Sequence, residues 1–443
     1  MMKLIQRPVT QLQILLVLAV LLGGGGVVYG FRHMAIQLFA LALLALNAGR
    51  FGDFVREAPR VLVILVALTL AFPLLQAVPL PAPLWQALPG RDLVVQAYSV
   101  TGIDTQSWFT FSVDPLRTLT SFCATLAPAA MIVLGWSLSQ EDRHVLVKTL
   151  VAVALGAFLL GTLQLSSANT FGILQDIDAG PDVFYATFSN RNSTGIFFVI
   201  ATITLAAVPL PSGRLWPMLA AGAGALMVIA VVLTQSRSSM TLLVLLLAFV
   251  VARFAASYLR SKRSGVLANR RPMIIGSAIV VVIGIVAIVA SVASGGRAAQ
   301  SLERFSQIDG DRLEMWDDGA FVAKRYWPVG SGTGTFDEVF QIDESLAYVS
   351  PGRAGRAHND YIELAIETGV IGILVLLAWF AWLGWATWQR RNDADRWLAF
   401  AAIVSFTCIA LQSVLDYPLR NHAMLCIAGL LVVLLLPARE KSA

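Results

Sequence analysis

Charge is scarce in this chain, and what little there is avoids the centre of every long apolar run. Asp, Glu, Lys and Arg make up 13% of 443 residues against 57% hydrophobic, and the mean hydropathy is +0.73. That balance excludes a soluble domain of this length. Cysteine is almost absent: Cys123, Cys408 and Cys426 all fall inside apolar runs, which excludes a secreted-type disulfide framework and leaves them as core packing. No Ala-x-Ala site follows the first apolar run, which contains Gly23 to Gly26, so that run is expected to stay as an anchor. Aspartate, glutamate, lysine and arginine are missing from the run centres; the nearest are Glu363 and Glu367 at one outer end. Ion-coupled carriers keep such groups near the midplane, so a proton-driven carrier lacks its usual machinery. The net charge of +5 needs no nucleic acid to explain it.

What is present is a series of about twelve runs, at 11–31, 33–49, 61–80, 118–139, 146–166, 193–211, 215–235, 238–256, 273–294, 363–388, 397–415 and 421–437. Each approaches the roughly 20 residues that cross a bilayer core. The first pair reads equally as a helical hairpin. The fold class expected is therefore all-α, a polytopic membrane protein. Residues 1–294 would hold spans one to nine, 295–360 one large loop, and 361–443 spans ten to twelve. With both termini inside, 19 of the 32 basic residues lie in inner loops. Lysine and arginine accumulate on the cytoplasmic side, which puts the large loop on the far side.

Four polar segments then share the outer face: Phe188 to Thr194, Thr234 to Ser239, the large loop, and Asp416 to His422. Within the loop, Leu313, Trp316, Ala320 and Phe321 recur at helical spacing, predicting an amphipathic helix that lies on the membrane or caps the bundle. A glycine-rich run from Gly330 to Phe336 reads as a tight turn closing the loop, or as backbone contact with a phosphate. His358 is one of only four histidines and stands where the loop meets the next span, with Arg353 and Arg356 just before it. Asp309-Gly310-Asp311 and Asp317-Asp318 could hold a metal, but two carboxylates in a glycine turn are common by chance, and no metal is assigned.

Taken together, Asn190-Arg191-Asn192, Ser236-Arg237-Ser238, Arg312 with Trp316, the glycine-rich turn, and His358-Asn359 followed after nine residues by Gly369 resemble the O-antigen ligase and polymerase superfamily. The resemblance covers roughly residues 180–390, and Gly372 stands where ligases often have threonine. It implies a GT-C-like membrane glycosyltransferase of the bacterial inner membrane, with its active site on the periplasmic face. Such an enzyme moves a glycan from an undecaprenyl-diphosphate carrier to a hydroxyl of a growing glycan or of lipid A core, with no cofactor, essential metal or nucleotide sugar. Membrane lipid is the surrounding partner.

Transfer of this kind needs a base for the acceptor hydroxyl and cations for the departing diphosphate. Carried over by residue, the resemblance assigns His358 as base and Arg237 and Arg312 to the diphosphate, with Arg191 in reserve. Asn359, Arg353, Arg356, Asp416 and Arg420 would support them. Structural alternatives stand beside each assignment. His358 could be a hydrogen-bonded structural histidine, Arg237 an interfacial arginine reaching headgroups, and Arg312 an ion-pair partner of Glu314 or Asp318. Asn359 reads first as a helix cap, and Asp416 and Arg420 as a pair bracing the site edge, with a partner for the base as the second reading of Asp416. His33, His144 and His422 carry weaker signals. A multispan polysaccharide or lipid-linked transporter, or a partner-binding membrane subunit, would also explain the spans, but would leave His358 and the loop without a task. The absent threonine and the Asp416 to Arg420 turn favour polymerisation over ligation.

Overall fold

The computed structural model describes residues 7–25, 30–170, 174, 180–264, 310–346 and 353–438. The expected span 273–294, the start of the large loop through Asp309, and Arg270 and Arg271 of the basic cluster lie outside the described residues.

In chain order the helices are α1 (Pro8–Leu22), α2 (Gly30–Leu46), α3 (Ala48–Glu57), α4 (Arg60–Gln76), α5 (Ala82–Gln86), α6 (Asp92–Thr101), α7 (Pro115–Gly135) and α8 (Gln140–Ser166). They continue with α9 (Arg191–Ala207), α10 (Leu215–Leu233), α11 (Arg237–Ser264), α12 (Gly310–Tyr326), α13 (Phe336–Asp343), α14 (Asp360–Gln389), α15 (Arg396–Leu415) and α16 (His422–Leu435). Among the described residues the only strands are a short antiparallel pair, Pro79–Leu80 with Phe109–Thr110.

The protein is all-helical, and six described helices, α7, α8, α10, α11, α14 and α15, are long and apolar enough to cross a membrane. The expected run 33–49 is instead a bent pair. Its axis turns by 76° between α2 and α3, where Asn47 donates to the Leu43 carbonyl and to Gln11. In α3, Arg50, Arg56 and Glu57 stay exposed while Phe54 is buried, the pattern of a helix lying along a surface. Four further runs, α1, α4, α9 and α16, are apolar helices of 15, 17, 17 and 14 residues. Hydropathy overestimates their length because apolar residues continue past the caps, as at Val208 and Leu436, which are already extended.

The shortest of these helices is the most buried. Apart from Leu425 and Ala428, every residue of α16 is enclosed, as its all-apolar circumference requires. It packs against α7, α1 and α15. Gly429 lies against Pro128 and Met131, and Gly135 against Val433, so small residues bring the α7 and α16 backbones close. Residues 77–114 form a cap over the glycine-rich turn that the hydropathy pattern does not reveal. There Trp85 is enclosed by Tyr98 and Phe109 at ring distances of 6.0 and 5.4 Å.

Candidate active site

The site grows from three helix starts capped by asparagine. Asn190 accepts from the Asn192 amide, Asn359 from those of Tyr361 and Ile362, and Asn421 from that of Met424. These bonds satisfy amides that a first helical turn leaves unpaired, and they bring α9, α14 and α16 to one face. The capping role expected for Asn359 is its observed one.

His358 sits just before the α14 cap, in the left-handed region at φ 48°. Its Nδ1 lies 3.3 Å from Asp416 Oδ1, its side chain is 31% exposed, and that of Asp416 is 1% exposed. Asn190 donates to both Asp416 oxygens at 3.2 and 3.1 Å. A buried carboxylate on Nδ1 favours the tautomer whose Nε2 carries the free lone pair. The Tyr417 ring is 5.0 Å from the imidazole, and burial, then the Asp416 charge, raises its phenol above the ordinary range.

Arg420 departs from expectation. In place of a pair with Asp416, its three nitrogens reach three different carboxylates: Nε to Asp360 at 3.2 Å, Nη2 to Glu363 at 3.3 Å and Nη1 to Glu367 at 2.8 Å. The reason is helical spacing, since positions 360, 363 and 367 share one face of α14. Burial pulls the guanidinium pKa down, but Glu367, Glu363 and Asp360 outweigh it and hold the group above its usual value. Glu363, wholly buried, also accepts from Arg356 at 3.2 Å and from the Ala357 amide at 2.9 Å. The segment carrying His358 is thereby tied to the helix that follows it. Arg353 stays 65% exposed beside Asp337 at 3.5 Å.

Helix α12 fastens the two halves of the His358–Asp416 pair. Trp316 Nε1 donates to the Ala357 carbonyl at 3.0 Å, and Arg312 Nη1 to the Leu415 carbonyl at 3.3 Å, in each case the residue before a member of the pair. The apolar face predicted for this helix is corrected. Leu313, Ala320 and Phe321 are exposed, whereas Gly319, Val322 and Tyr326 are buried, because α14 supplies the surface they meet. Beyond α12 the glycine-rich turn is wedged into a break in α14. Gly369 leaves helical geometry at φ 54°, ψ −146°, and its successor Val370 donates to the Pro328 carbonyl at 2.9 Å. A Cβ on Gly369 would stand 2.0 Å from that oxygen, and one on Gly330 2.5 Å from the Glu367 carbonyl oxygen. Arg91, fully buried, donates to the Gly330 and Phe111 carbonyls, and burial lowers its pKa to about 10.

These parts surround a cavity of about 770 Å³. His358, Arg356, Tyr417, Asp360 and Arg420 line its polar end, and Val66, Ile132, Leu376 and Phe380 are among its apolar lining.

Residues 222–377 match the O-antigen ligase family. The chain carries an O-antigen ligase domain. No curated protein matches the chain. The match and the six long apolar helices support a multi-pass membrane protein of a glycan-processing enzyme family. Its domain contains Arg237, Arg312, Arg353, Arg356, His358 and Asn359, while Arg191, Asp416 and Arg420 lie outside the matched span.

Of the residues singled out in the sequence, the structure brings His358, Arg356 and Arg420 together on the cavity wall, with buried Asp416 bonded to His358. Arg191, Arg237 and Arg312 do not line it. Arg237 opens α11 between Ser236, which donates to Asn192 at 2.7 Å, and Ser238, which accepts from Gln412 at 2.9 Å. Arg312 is placed through the Leu415 carbonyl. Sequence reading missed the Asn190–Asp416 bond and the carboxylates of Asp360, Glu363 and Glu367 as a set. The latter left a visible signal, because three acids on one face at the start of an apolar run require a buried cation.

Proposed function

We propose that the protein is a periplasmic-face glycosyltransferase of the inner membrane, which moves a glycan from undecaprenyl diphosphate to an acceptor hydroxyl of a growing glycan or of lipid A core. The observation that carries this reading is His358 held on buried Asp416 at the polar end of a cavity whose remaining lining is largely apolar. Neutral His358 takes the acceptor proton on Nε2. The acceptor oxygen attacks the anomeric carbon, the bond from that carbon to the diphosphate oxygen breaks, and the diphosphate leaves with the electron pair. Asp416 stabilises the imidazolium that results.

Arg312 and Arg237 are assigned to the diphosphate, with Arg191 in support, since a planar guanidinium pairs with phosphate oxygens and stays charged at any relevant pH. Arg356, on the cavity wall two residues before His358, joins them. Arg420 is excluded from this role because its nitrogens are already taken by three carboxylates. The amide ends of α9, α14 and α16 add positive potential on the same face.

The test is product analysis in liposomes given undecaprenyl-diphosphate oligosaccharide with and without lipid A core. A ladder without core identifies a polymerase, and a single acceptor shift a ligase. His358→Ala is expected to lower transfer by about 10²–10⁴-fold at normal protein yield. Full activity in that variant overturns the assignment, and the same variant leaves a transporter unaffected.

A further inference from the structure

Two histidines that this chemistry does not use, His33 and His422, line the same cavity. His33 lies in the first turn of α2 and His422 opens α16. Their rings stack with centroids 4.4 Å apart and 30° between planes. Gln37, one turn along α2, places its amide Nε2 2.9 Å from His422 Nε2. An amide nitrogen only donates, so His422 Nε2 accepts and the neutral ring carries its proton on Nδ1. That Nδ1 has no partner, although His422 is only 5% exposed. His33 is the complement. Its ring bonds to the Gly25 backbone and Nε2 is the nitrogen left unpartnered, so Nδ1–H serves Gly25 and Nε2 presents a lone pair.

The stacked rings therefore offer one buried donor and one buried acceptor, and a buried polar group left unmet is destabilising. The pair matches the chemistry of a hydroxyl, which accepts and donates at once. An ammonium cannot accept and a carboxylate cannot donate. Gly23 lets the end of α1 pack against the start of α16, where a Cβ would stand 2.8 Å from the His422 Cβ. The place is also close to the reacting end. Asn421, preceding His422, donates to Ser193 at 3.4 Å, and Asn190, which holds Asp416, is about one 5 Å turn away along the same segment.

We propose that His33 and His422 form a saccharide subsite, which grips one hydroxyl of the glycan on which His358 acts. The inference rests on the transferase reading. The glycan could be the donor's or the acceptor's, and the kinetics separate them. KM for undecaprenyl-diphosphate oligosaccharide and KM for the acceptor glycan are measured separately in liposomes for wild type, His33→Leu, His422→Leu and His422→Asn. Leucine fills the space but makes no hydrogen bond, and the asparagine amide nitrogen stands where Nδ1 stood. Each leucine variant is expected to raise one KM by about tenfold, a hydrogen bond's worth, with kcat little changed, and His422→Asn to restore it. The KM that rises identifies which glycan is held. Wild-type values for both KM in the leucine variants, with transfer intact, overturn the subsite and leave the transferase standing; a pocket that holds only water gives that result. No transfer by folded wild type overturns both. If one leucine variant fails to fold by gel filtration, the other decides.

Discussion

At the residue scale, the chemistry depends on a contact between positions 58 apart, the bond from His358 Nδ1 to Asp416. Asp416→Asn keeps the shape but removes the charge that fixes the tautomer and stabilises the imidazolium. Transfer in liposomes is expected to fall by about 10²–10⁴-fold with unchanged yield, and activity within twofold of wild type would show that Asp416 only braces the turn. Glu363 makes a different prediction because it touches two guanidinium groups and a backbone amide from a fully buried position. Glu363→Ala leaves Arg420 short of a counter-charge. Its expected cost is about 3–5 kcal/mol of stability, read as a lower unfolding temperature by intrinsic fluorescence in detergent. His358 was legible in the sequence because a rare polar residue at a loop–span junction is conspicuous. Asp416 was visible too, first as a brace for Arg420 and second as a partner for a base, since nothing local distinguishes a carboxylate facing Arg420 from one facing His358. Arg420 was drawn away by the acids of α14.

At the scale of elements, asparagine caps and one broken helix set the geometry. Asn359 both starts α14 and ends the segment that carries His358, so Asn359→Ala is expected to cost about 1 kcal/mol and to be rescued by serine or aspartate, which cap equally well. Thermal unfolding of the purified variants in detergent checks this. If serine fails to restore what alanine loses, the cap is not the cause. Gly369→Ala is expected to be worse. Its backbone sits at φ 54° with the Pro328 oxygen 2.0 Å from any Cβ, so the glycine-rich turn must move out of the break in α14, and folded protein is expected to fall sharply in gel filtration. Here sequence and structure meet unevenly. The spacing of Leu313, Trp316 and Phe321 rightly announced a helix, yet selected the wrong face, because α12 is apolar on two sides and only its docking on α14 decides between them. The glycine run announced a turn, and Gly369 followed Asn359 after nine intervening residues, but the wedge joining them is a tertiary fact. Residues 77–114 alternate short polar and apolar pieces with no single period, so neither their fold nor the role of Arg91 could be read from the sequence.

At the scale of the whole molecule, the two faces differ in what they do with helix ends. On one face α9, α14 and α16 present capped N-termini around the cavity. On the other, the last carbonyls of α16 are met by arginines: Arg143 donates to Leu436 and Pro437, and Arg390 to Leu434 and Leu436. His144 lies 3.0 Å from Asp395 on the same side. Cations at helix C-termini complement the macrodipole, and gathering basic residues there also satisfies the rule for cytoplasmic loops, so one set of arginines serves both packing and orientation. In the orientation proposed above, the polar end of the cavity faces the opposite compartment. Single cysteines test this directly, because native Cys408 and Cys426 are buried and Cys123 is half-buried, leaving a quiet background for labelling. Ile103→Cys and Leu346→Cys lie on the cavity face at positions 48% and 90% exposed, and each is expected to react in intact spheroplasts with a maleimide that cannot cross the membrane. Ser212→Cys and Asn392→Cys, in exposed turns after α9 and α14, are expected to react only after lysis. The reverse pattern would put His358 in the cytoplasm, away from the leaflet where the lipid-linked donor of this mechanism must be presented.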